Sequence, residues 1–134
     1  MNFTVLVVDD DEICLLLHKR IIEMAMLHDA PQTFNSAEKA LDFFVSLPDK
    51  TKPVLLFLDI NMPGMNGWDL LNIIHQDGFH KELYVVIVTS SVDAEEKEKA
   101  YSFSKVIEFV EKPFNEAALQ KLKIVLPWLK MTKE

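Results

Sequence analysis

The sequence has little of what marks disulfide-rich, membrane-spanning or nucleic-acid-binding proteins. Its single cysteine, Cys14, excludes an internal disulfide and any metal site built from several cysteines. No apolar run approaches the ~18 residues of a membrane-spanning helix, and no basic segment precedes an apolar run at the N-terminus, as in a signal peptide. The 14 basic against 21 acidic residues give a formal charge of −7, which disfavours direct binding to nucleic acid or to anionic membranes.

The length and composition of the chain are typical of one globular domain. The chain has 134 residues, of which 49% are hydrophobic and 26% charged, and this composition excludes wholesale disorder. The unpaired cysteine is consistent with a reducing compartment, so we expect a cytoplasmic protein.

Short apolar runs alternate five times with longer amphipathic segments. Strands are predicted at 3–8, 32–34, 54–58, 83–88 and 106–110, and helices at about 12–27, 36–47, 68–76, 94–101 and 115–126. Such alternation predicts an α/β fold with a parallel sheet and helices on both faces. Pro31 should place the second strand at an edge of the sheet.

The helical spacing of apolar residues also predicts which side chains face the core. For the first helix the predicted set is Ile13, Leu16, Leu17, Ile21, Met24 and Leu27. For the last helix it is Leu119, Leu122, Val125 and Leu126, with Pro127 ending the helix.

Polar residues follow four of the five predicted strands. They are the acidic run Asp9, Asp10 and Asp11, then Asp59, then Thr89, Ser90 and Ser91, and finally Glu111, Lys112 and Pro113. Because the carboxyl ends of parallel strands meet at one rim of the sheet, we expect these groups to converge there.

The expected convergence has a definite chemistry. Carboxylates held close together repel one another, and a divalent cation relieves that repulsion. A set of oxygen ligands without histidine or cysteine favours Mg²⁺ or Mn²⁺ over zinc. A carboxylate nucleophile, a metal, a hydroxyl and an ammonium are together the components of phosphoryl transfer to an aspartate.

These residues lie in motifs that resemble the receiver domain of two-component response regulators. The motifs are VLVVDDD at 5–11, LFLDINMPGMNG at 56–67, IVTSS at 87–91 and FVEKPF at 109–114. The resemblance covers nearly the whole chain, and it implies a flavodoxin-like (βα)5 fold with strand order 2-1-3-4-5. It further implies a receiver domain over residues 3–127, a short tail over 128–134 and no output domain.

The resemblance also assigns roles to the residues of the rim. It implies that Asp59 is the phosphoacceptor, and that Mg²⁺, or Mn²⁺, is held by Asp9, Asp10, Asp59 and the backbone carbonyl of Asn61. The phosphoryl group would be contacted by Thr89, Ser90 and Lys112, although Ser90 stands where the family usually has alanine.

A conformational switch is the last feature that the resemblance implies. Phe109 occupies the position of an aromatic residue that turns inward when Thr89 moves toward the phosphate. Pro113 would follow a cis peptide bond.

The function implied is a phosphorylation-dependent signalling switch that is not an enzyme, although it would assist its own phosphorylation and dephosphorylation. A histidine kinase or a histidine phosphotransfer protein would phosphorylate it. The face formed by the fourth helix, fifth strand and fifth helix would then control a downstream protein of unknown identity. The chain would be a monomer or a phosphorylation-dependent dimer.

Three other interpretations remain open from the sequence. A haloacid-dehalogenase-like phosphatase would use Asp9 and Asp11 with a later Thr89 and Lys112, but leaves Asp59 unexplained. A flavodoxin-like electron carrier needs a phosphate-binding loop after the first strand, where the charge of 9–11 is of the wrong sign. A docking module without phosphorylation is the third.

Overall fold

The computed structural model describes residues 3–76, 82–91 and 93–126. Strands and helices alternate through them in the predicted order. The strands are β1 (Thr4–Val8), β2 (Gln32–Phe34), β3 (Val54–Leu58), β4 (Leu83–Thr89) and β5 (Val106–Glu111). The helices are α1 (Glu12–Met24), α2 (Ala37–Ser46), α3 (Gly67–Ile74), α4 (Ala94–Tyr101) and α5 (Glu116–Val125).

The five strands form one parallel sheet in the order β2-β1-β3-β4-β5, which confirms the predicted topology. The edge position of β2 follows Pro31, as expected from the missing N–H of proline. In the register, Val8 pairs with Leu58 and Leu58 with Ile87, so β1, β3 and β4 end close to one another.

Helix starts are fixed by short polar side chains. Ser36, Asp93 and Asn115 accept hydrogen bonds from backbone N–H groups in the first turns of α2, α4 and α5, as their positions predict. Asn66 and Asp69 form a reciprocal capping box at the start of α3. Each of these helices is therefore capped at its N-terminal end.

The sheet separates two apolar layers. On one face, alternate residues of the central strands pack with α2, α3 and α4, including Phe44, Leu71 and Ala100. On the other face, the remaining strand residues pack with α1 and α5, including Ile22 and Leu122. The sheet is thus covered on both sides, as a parallel sheet requires.

The predicted inner face of α1 is wrong at four of its six residues, whereas Leu27 is buried and Ile21 half-buried. Ile13 is 79% exposed and Met24 74% exposed, and Leu16 and Leu17 are also exposed. The helix instead buries the opposite set, Leu15, His18 and Ile22. Apolar residues occupy both faces of α1 at helical spacing, and the face that carries His18 is the one that packs against the sheet.

Smaller corrections concern helix ends. Helix α1 ends at Met24 rather than near Leu27. Val125 is 49% exposed rather than buried, whereas Leu126 is buried as predicted. No helix within the described ranges is both long and apolar enough to span a membrane. The prediction for Pro127 and the tail over 128–134 lies outside the described residues.

Candidate functional site

Two aspartates extend the central strands at the carboxyl edge of the sheet. Asp9 follows β1, and its backbone N–H donates to Phe34 O at 3.1 Å. Asp59 follows β3, and its N–H donates to Val8 O at 3.0 Å. Because both residues continue the ladder of hydrogen bonds, the sheet itself fixes where their side chains lie.

The structure brings together three of the predicted carboxylates. Asp9, Asp10 and Asp59 each offer one oxygen, and these oxygens all lie within 4.8 Å of one another. Asp9 and Asp59 are each 2% exposed, whereas Asp10 is exposed to solvent. The cluster is therefore open on the side of Asp10 and buried beneath it.

Lys112 reaches across the sheet into this cluster. Its Nζ lies 2.8 Å from Asp9 Oδ2 and 3.3 Å from Asp59 Oδ2. Its backbone N–H donates to Thr89 O at 2.8 Å, which ties it to the end of β4. The peptide bond between Lys112 and Pro113 is cis. Lys112 is thus held to both buried carboxylates and to the neighbouring strand end.

The charges in the cluster perturb one another. Burial, and after it the nearby Asp9 carboxylate, raise the pKa of the Asp59 carboxyl to about 6. Hydrogen bonding from Asn61 N–H and the ammonium of Lys112 act in the opposite direction. Burial lowers the pKa of Lys112, but its contacts with Asp9 and Asp59 outweigh burial and raise it overall.

These residues fit a hard divalent cation. The donors are all oxygens, two of them on buried carboxylates that Lys112 only partly compensates. The raised pKa of Asp59 shows that a further positive charge would be favourable here. Mg²⁺ commonly binds one or two carboxylates and keeps several waters, which suits a cluster with one exposed side.

The other predicted site residues line the same rim. Asn61 N–H donates to Asp59 Oδ1 at 3.2 Å, and its side-chain amide lies 3.5 Å from Thr89 Oγ. Thr89 is fully buried, and its hydroxyl also accepts from Ser91 N–H at 3.2 Å. Ser90 is exposed. Asn61 therefore contacts both the Asp59 carboxylate and the Thr89 hydroxyl.

Phe109 lies with its side chain inside the protein, at 7% exposure, packed in the apolar layer of α2, α3 and α4. It pairs with Ile87 in the register of β4 and β5. The ring already faces inward in this structure, and its role as a switch stays a prediction.

Gly67 is a residue that the sequence reasoning did not single out. A Cβ at this position would lie 2.5 Å from Asp59 O and 2.6 Å from Ile60 Cα, both backbone atoms. Its N–H donates to Ile60 O at 3.1 Å. Only glycine permits this approach of α3 to the backbone of Asp59 and Ile60, and the signal in the sequence was its place at the end of the 56–67 motif.

Asp11 has a structural role that its place in the acidic run did not reveal. It caps α1, and the backbone N–H groups of Cys14 and Ile13 lower the pKa of its carboxyl. Its own N–H donates to Asp9 Oδ1 at 2.9 Å. Asp11 thus orients Asp9 and starts α1, and it is not one of the three clustered carboxylates.

Several known proteins resemble this chain. The two-component response regulator ARR12 of Arabidopsis thaliana is 31% identical over 93 residues, and the match spans 69% of this chain but 14% of ARR12. The chemotaxis protein CheY-3 of Vibrio cholerae is 34% identical over 122 residues, spanning 90% of this chain and 88% of CheY-3.

Solved structures agree with these relatives. A two-component response regulator from Cytophaga hutchinsonii superposes with a TM-score of 0.82 at 31% identity, covering 91% of this chain and 94% of that chain. The family model of the response regulator receiver domain matches residues 5–123, a span that includes Asp9, Asp59 and Lys112. This chain therefore belongs to the response regulator receiver domain family.

Proposed function

We propose that the chain is a signalling switch whose phosphoacceptor is Asp59. The observation that carries the proposal is the cluster itself: Asp59 shares its buried site with Asp9 and Asp10, and Lys112 contacts both buried carboxylates. The family assignment replaces the phosphatase and electron-carrier interpretations. A docking module without phosphorylation remains an outcome of the test below.

The proposed reaction is a transfer from phosphohistidine to carboxylate. A carboxylate oxygen of Asp59 forms a bond to phosphorus as the phosphorus–nitrogen bond breaks, and the donor imidazole leaves with the electron pair and takes up a proton. The phosphoryl group is then lost by hydrolysis: a water oxygen bonds to phosphorus as the bond from phosphorus to the Asp59 oxygen breaks, which gives inorganic phosphate and restores the carboxylate. Both steps develop negative charge on the phosphoryl oxygens, so they depend on nearby positive groups.

The chain's own residues supply most of what this step needs. Lys112 lies 3.3 Å from Asp59, so its ammonium can neutralise charge on the incoming phosphoryl oxygens. The backbone N–H of Asn61 donates to the Asp59 carboxylate, and the side-chain amide of Asn61 lies 3.5 Å from the Thr89 hydroxyl. Asp9, Asp10, Asp59 and the carbonyl of Asn61 would hold Mg²⁺, which when bound supplies positive charge to the carboxylates and the phosphoryl group.

The outward face of α1 favours a protein as the phosphodonor. This outer face, defined by Ile13, Leu16, Leu17 and Met24, is apolar and exposed, with the exposed Arg20 among its residues. It begins directly after Asp11, next to the open side of the acidic cluster. An apolar face of this kind on a soluble helix is typical of a protein interaction site.

We infer that the occupant of the outer face of α1 is the histidine kinase or histidine phosphotransfer protein that phosphorylates Asp59. A partner that covers the first turns of α1 is brought beside Asp10 and the entrance to the cluster. An apolar helix with an acidic residue opposite Arg20 would complement this surface in both shape and charge.

The proposed output face is formed by α4, β5 and α5. Glu108 on β5 links its neighbours: the Tyr101 hydroxyl donates to it at 3.3 Å, and Lys121 Nζ lies 3.7 Å from it. Thr89 ends the strand that precedes α4, so a change at the phosphoacceptor reaches this face through a short path. We propose that a downstream protein binds here.

Phosphorylation with a small acyl phosphate tests the proposal. The wild-type chain, incubated with acetyl phosphate and Mg²⁺, should gain the mass of one phosphoryl group, and chelation of Mg²⁺ should prevent the gain. A chain that gains no mass under any of these conditions would be a docking module.

A further inference from the structure

A cluster of aromatic and cationic side chains joins α3 to α4, apart from the acidic site. The Trp68 ring stacks near Phe103 with centroids 6.3 Å apart and an interplanar angle of 18°. Lys99 Nζ lies 4.5 Å from the centroid of the Trp68 ring. His75 meets Phe103 edge-on, with centroids 5.3 Å apart and an angle of 88°. We call these four residues the α3–α4 clamp.

Helix α4 contributes little apolar surface of its own. Ala100 is the only buried residue of this helix, and five of its eight residues are charged. Phe103, just beyond its end, packs against the apolar layer beneath. Helix α4 packs on β5, and the Tyr101–Glu108 hydrogen bond adds to that contact. The clamp joins α4 to α3 on its other side.

On the side of α3, the clamp is joined to the backbone of Asp59 and Ile60. Trp68 follows Gly67, whose Cα approaches Asp59 O so closely that a Cβ there would lie 2.5 Å from that oxygen. Gly67 N–H donates to Ile60 O, the carbonyl of the residue after Asp59. A backbone shift at Asp59 or Ile60 therefore cannot occur without moving the first turn of α3.

We propose that Trp68 is a coupling residue that connects the state of Asp59 to the position of α4, independently of Thr89. A change in the backbone at Asp59 moves Gly67, the Trp68 ring shifts with it, and the ring carries Lys99 and Phe103 along. Helix α4 is then controlled from both ends, by Thr89 at its start and by Trp68 at its finish.

The proposal rests on the proposed function, because it concerns how phosphorylation of Asp59 is transmitted. Cation–π and ring contacts can be broken and remade at small cost, which suits a contact that must shift between two arrangements. For Trp68 to bias the equilibrium between two positions of α4, its contacts with Lys99 and Phe103 must differ between those positions.

Tryptophan emission offers the first test. The chain has two tryptophans, so Trp128→Phe leaves Trp68 as the sole reporter. Adding Mg²⁺ and beryllofluoride, an acyl phosphate mimic, should change the emission of Trp68, and Asp59→Asn should abolish the change. Emission that does not respond, in a chain whose exchange around Thr89 does respond, would overturn the proposal.

Hydrogen exchange with matched variants offers the second test. In the wild type, beryllofluoride should alter exchange both around Thr89–Ser91 and in α4. Trp68→Leu should lose the change in the C-terminal half of α4 and keep the change at Thr89–Ser91, whereas Trp68→Phe should keep both. Retention of both changes in Trp68→Leu would show that Trp68 is only a packing residue.

A surface variant guards against a folding defect in Trp68→Leu. Lys99→Gln removes only the cation over the ring and should speed exchange in the last turn of α4 about two- to fivefold, as expected for one exposed cation–π contact. Lys97→Gln, the same change on the same helix, should leave exchange there unaltered. Equal effects of the two variants would contradict the clamp.

The outcomes separate this inference from the proposed function. A wild-type chain that shows no response to beryllofluoride anywhere contradicts phosphorylation at Asp59 itself. A wild-type response at Thr89–Ser91 that Trp68→Leu leaves complete in α4 contradicts the coupling role alone.

Discussion

Lys112 Nζ lies 2.8 Å from Asp9 Oδ2, closer than it lies to Asp59, and this contact joins the ends of β1 and β5 across the site. The pair neutralises one carboxylate and leaves Asp59 with a raised pKa. The charge of Asp9 is thus compensated by Lys112. The Asp59 carboxylate is the one that an added cation would stabilise most.

Removing the ammonium should impair phosphorylation while the fold persists. Lys112→Ala takes away the positive charge that faces the developing charge on the phosphoryl oxygens. The rate of phosphorylation by acetyl phosphate should fall about a hundredfold, the usual loss when one such donor is removed. The control is Lys121→Ala, in which a mostly exposed lysine loses its ion pair with Glu108, and it should keep the normal rate. A normal rate in Lys112→Ala would make Lys112 a merely structural lysine.

The raised pKa of Asp59 predicts a pH-dependent effect on stability. Burial raises the pKa of the carboxyl from its ordinary value of 3.8 to about 6, so the folded state favours the protonated form. The stability that this group contributes is fully present below about pH 4 and is lost as pH rises through 6. In the absence of Mg²⁺, Asp59→Asn should therefore raise the free energy of unfolding by about 1–3 kcal/mol at pH 7.5.

The same variant should have little stabilising effect at pH 3, where the wild-type carboxyl is mostly protonated in both the folded and the unfolded state. Urea unfolding at the two pH values measures the difference. A variant that is less stable than the wild type at pH 7.5 would show that the Asp59 carboxylate is better compensated than the structure indicates.

The close approach of Gly67 predicts a large cost for a single methyl group. Gly67→Ala places a Cβ against the backbone of Asp59 and Ile60, which cannot rotate away, and should destabilise the fold by about 3 kcal/mol. Gly64→Ala is the comparison, because its Cβ would meet the flexible side chain of Glu38 at 3.0 Å and its cost of about 1 kcal/mol comes from a φ of +72°. Chemical denaturation that ranks the two variants in the reverse order would contradict the account of α3.

The outer face of α1 predicts a difference between protein and small-molecule donors. Leu16→Lys introduces a charge on that face and should slow transfer from a phosphohistidine protein that phosphorylates the wild-type chain, by about tenfold or more. The rate with acetyl phosphate should not change, because Leu16 is not part of the acidic cluster. Val45→Lys, a similar change at an exposed apolar residue of α2, should leave both rates unaltered. Equal rates for wild type and Leu16→Lys with the protein donor would exclude this face.

Much of the fold and site was predictable because parallel strands obey a simple geometry. Apolar runs of β-branched residues define the strands, and their polar successors must lie at one edge of the sheet. The proximity of Asp9, Asp59 and Lys112 follows from that rule alone, although they are separated by long stretches of chain.

The orientation of α1 could not be predicted in the same way. Ile13, Leu16 and Met24 have the spacing of a buried face, and so do Leu15 and Ile22. The orientation depends on a contact outside the helix: the His18 ring stacks on Phe114, between β5 and α5, with centroids 4.1 Å apart and an interplanar angle of 17°. A contact between residues so distant in sequence leaves no periodic signal, and a histidine on the inner face obscures the apolar pattern.

The α3–α4 clamp could not be predicted from the sequence for a related reason. In the sequence, Trp68 is one aromatic residue at the start of a helix, and Lys99 is one charge among several on α4. Their contact depends on the relative placement of two helices, which helical spacing within either one does not specify.

The most direct test of the central claim is the site of phosphorylation, read by intact mass after incubation with acetyl phosphate. With Mg²⁺, the wild type and Asp42→Asn, which removes an exposed carboxylate on α2, should each gain one phosphoryl group. Asp59→Asn should gain none, and the wild type should gain none when Mg²⁺ is chelated. Phosphoryl incorporation that persists in Asp59→Asn, at Asp9 for example, would contradict Asp59 as the phosphoacceptor.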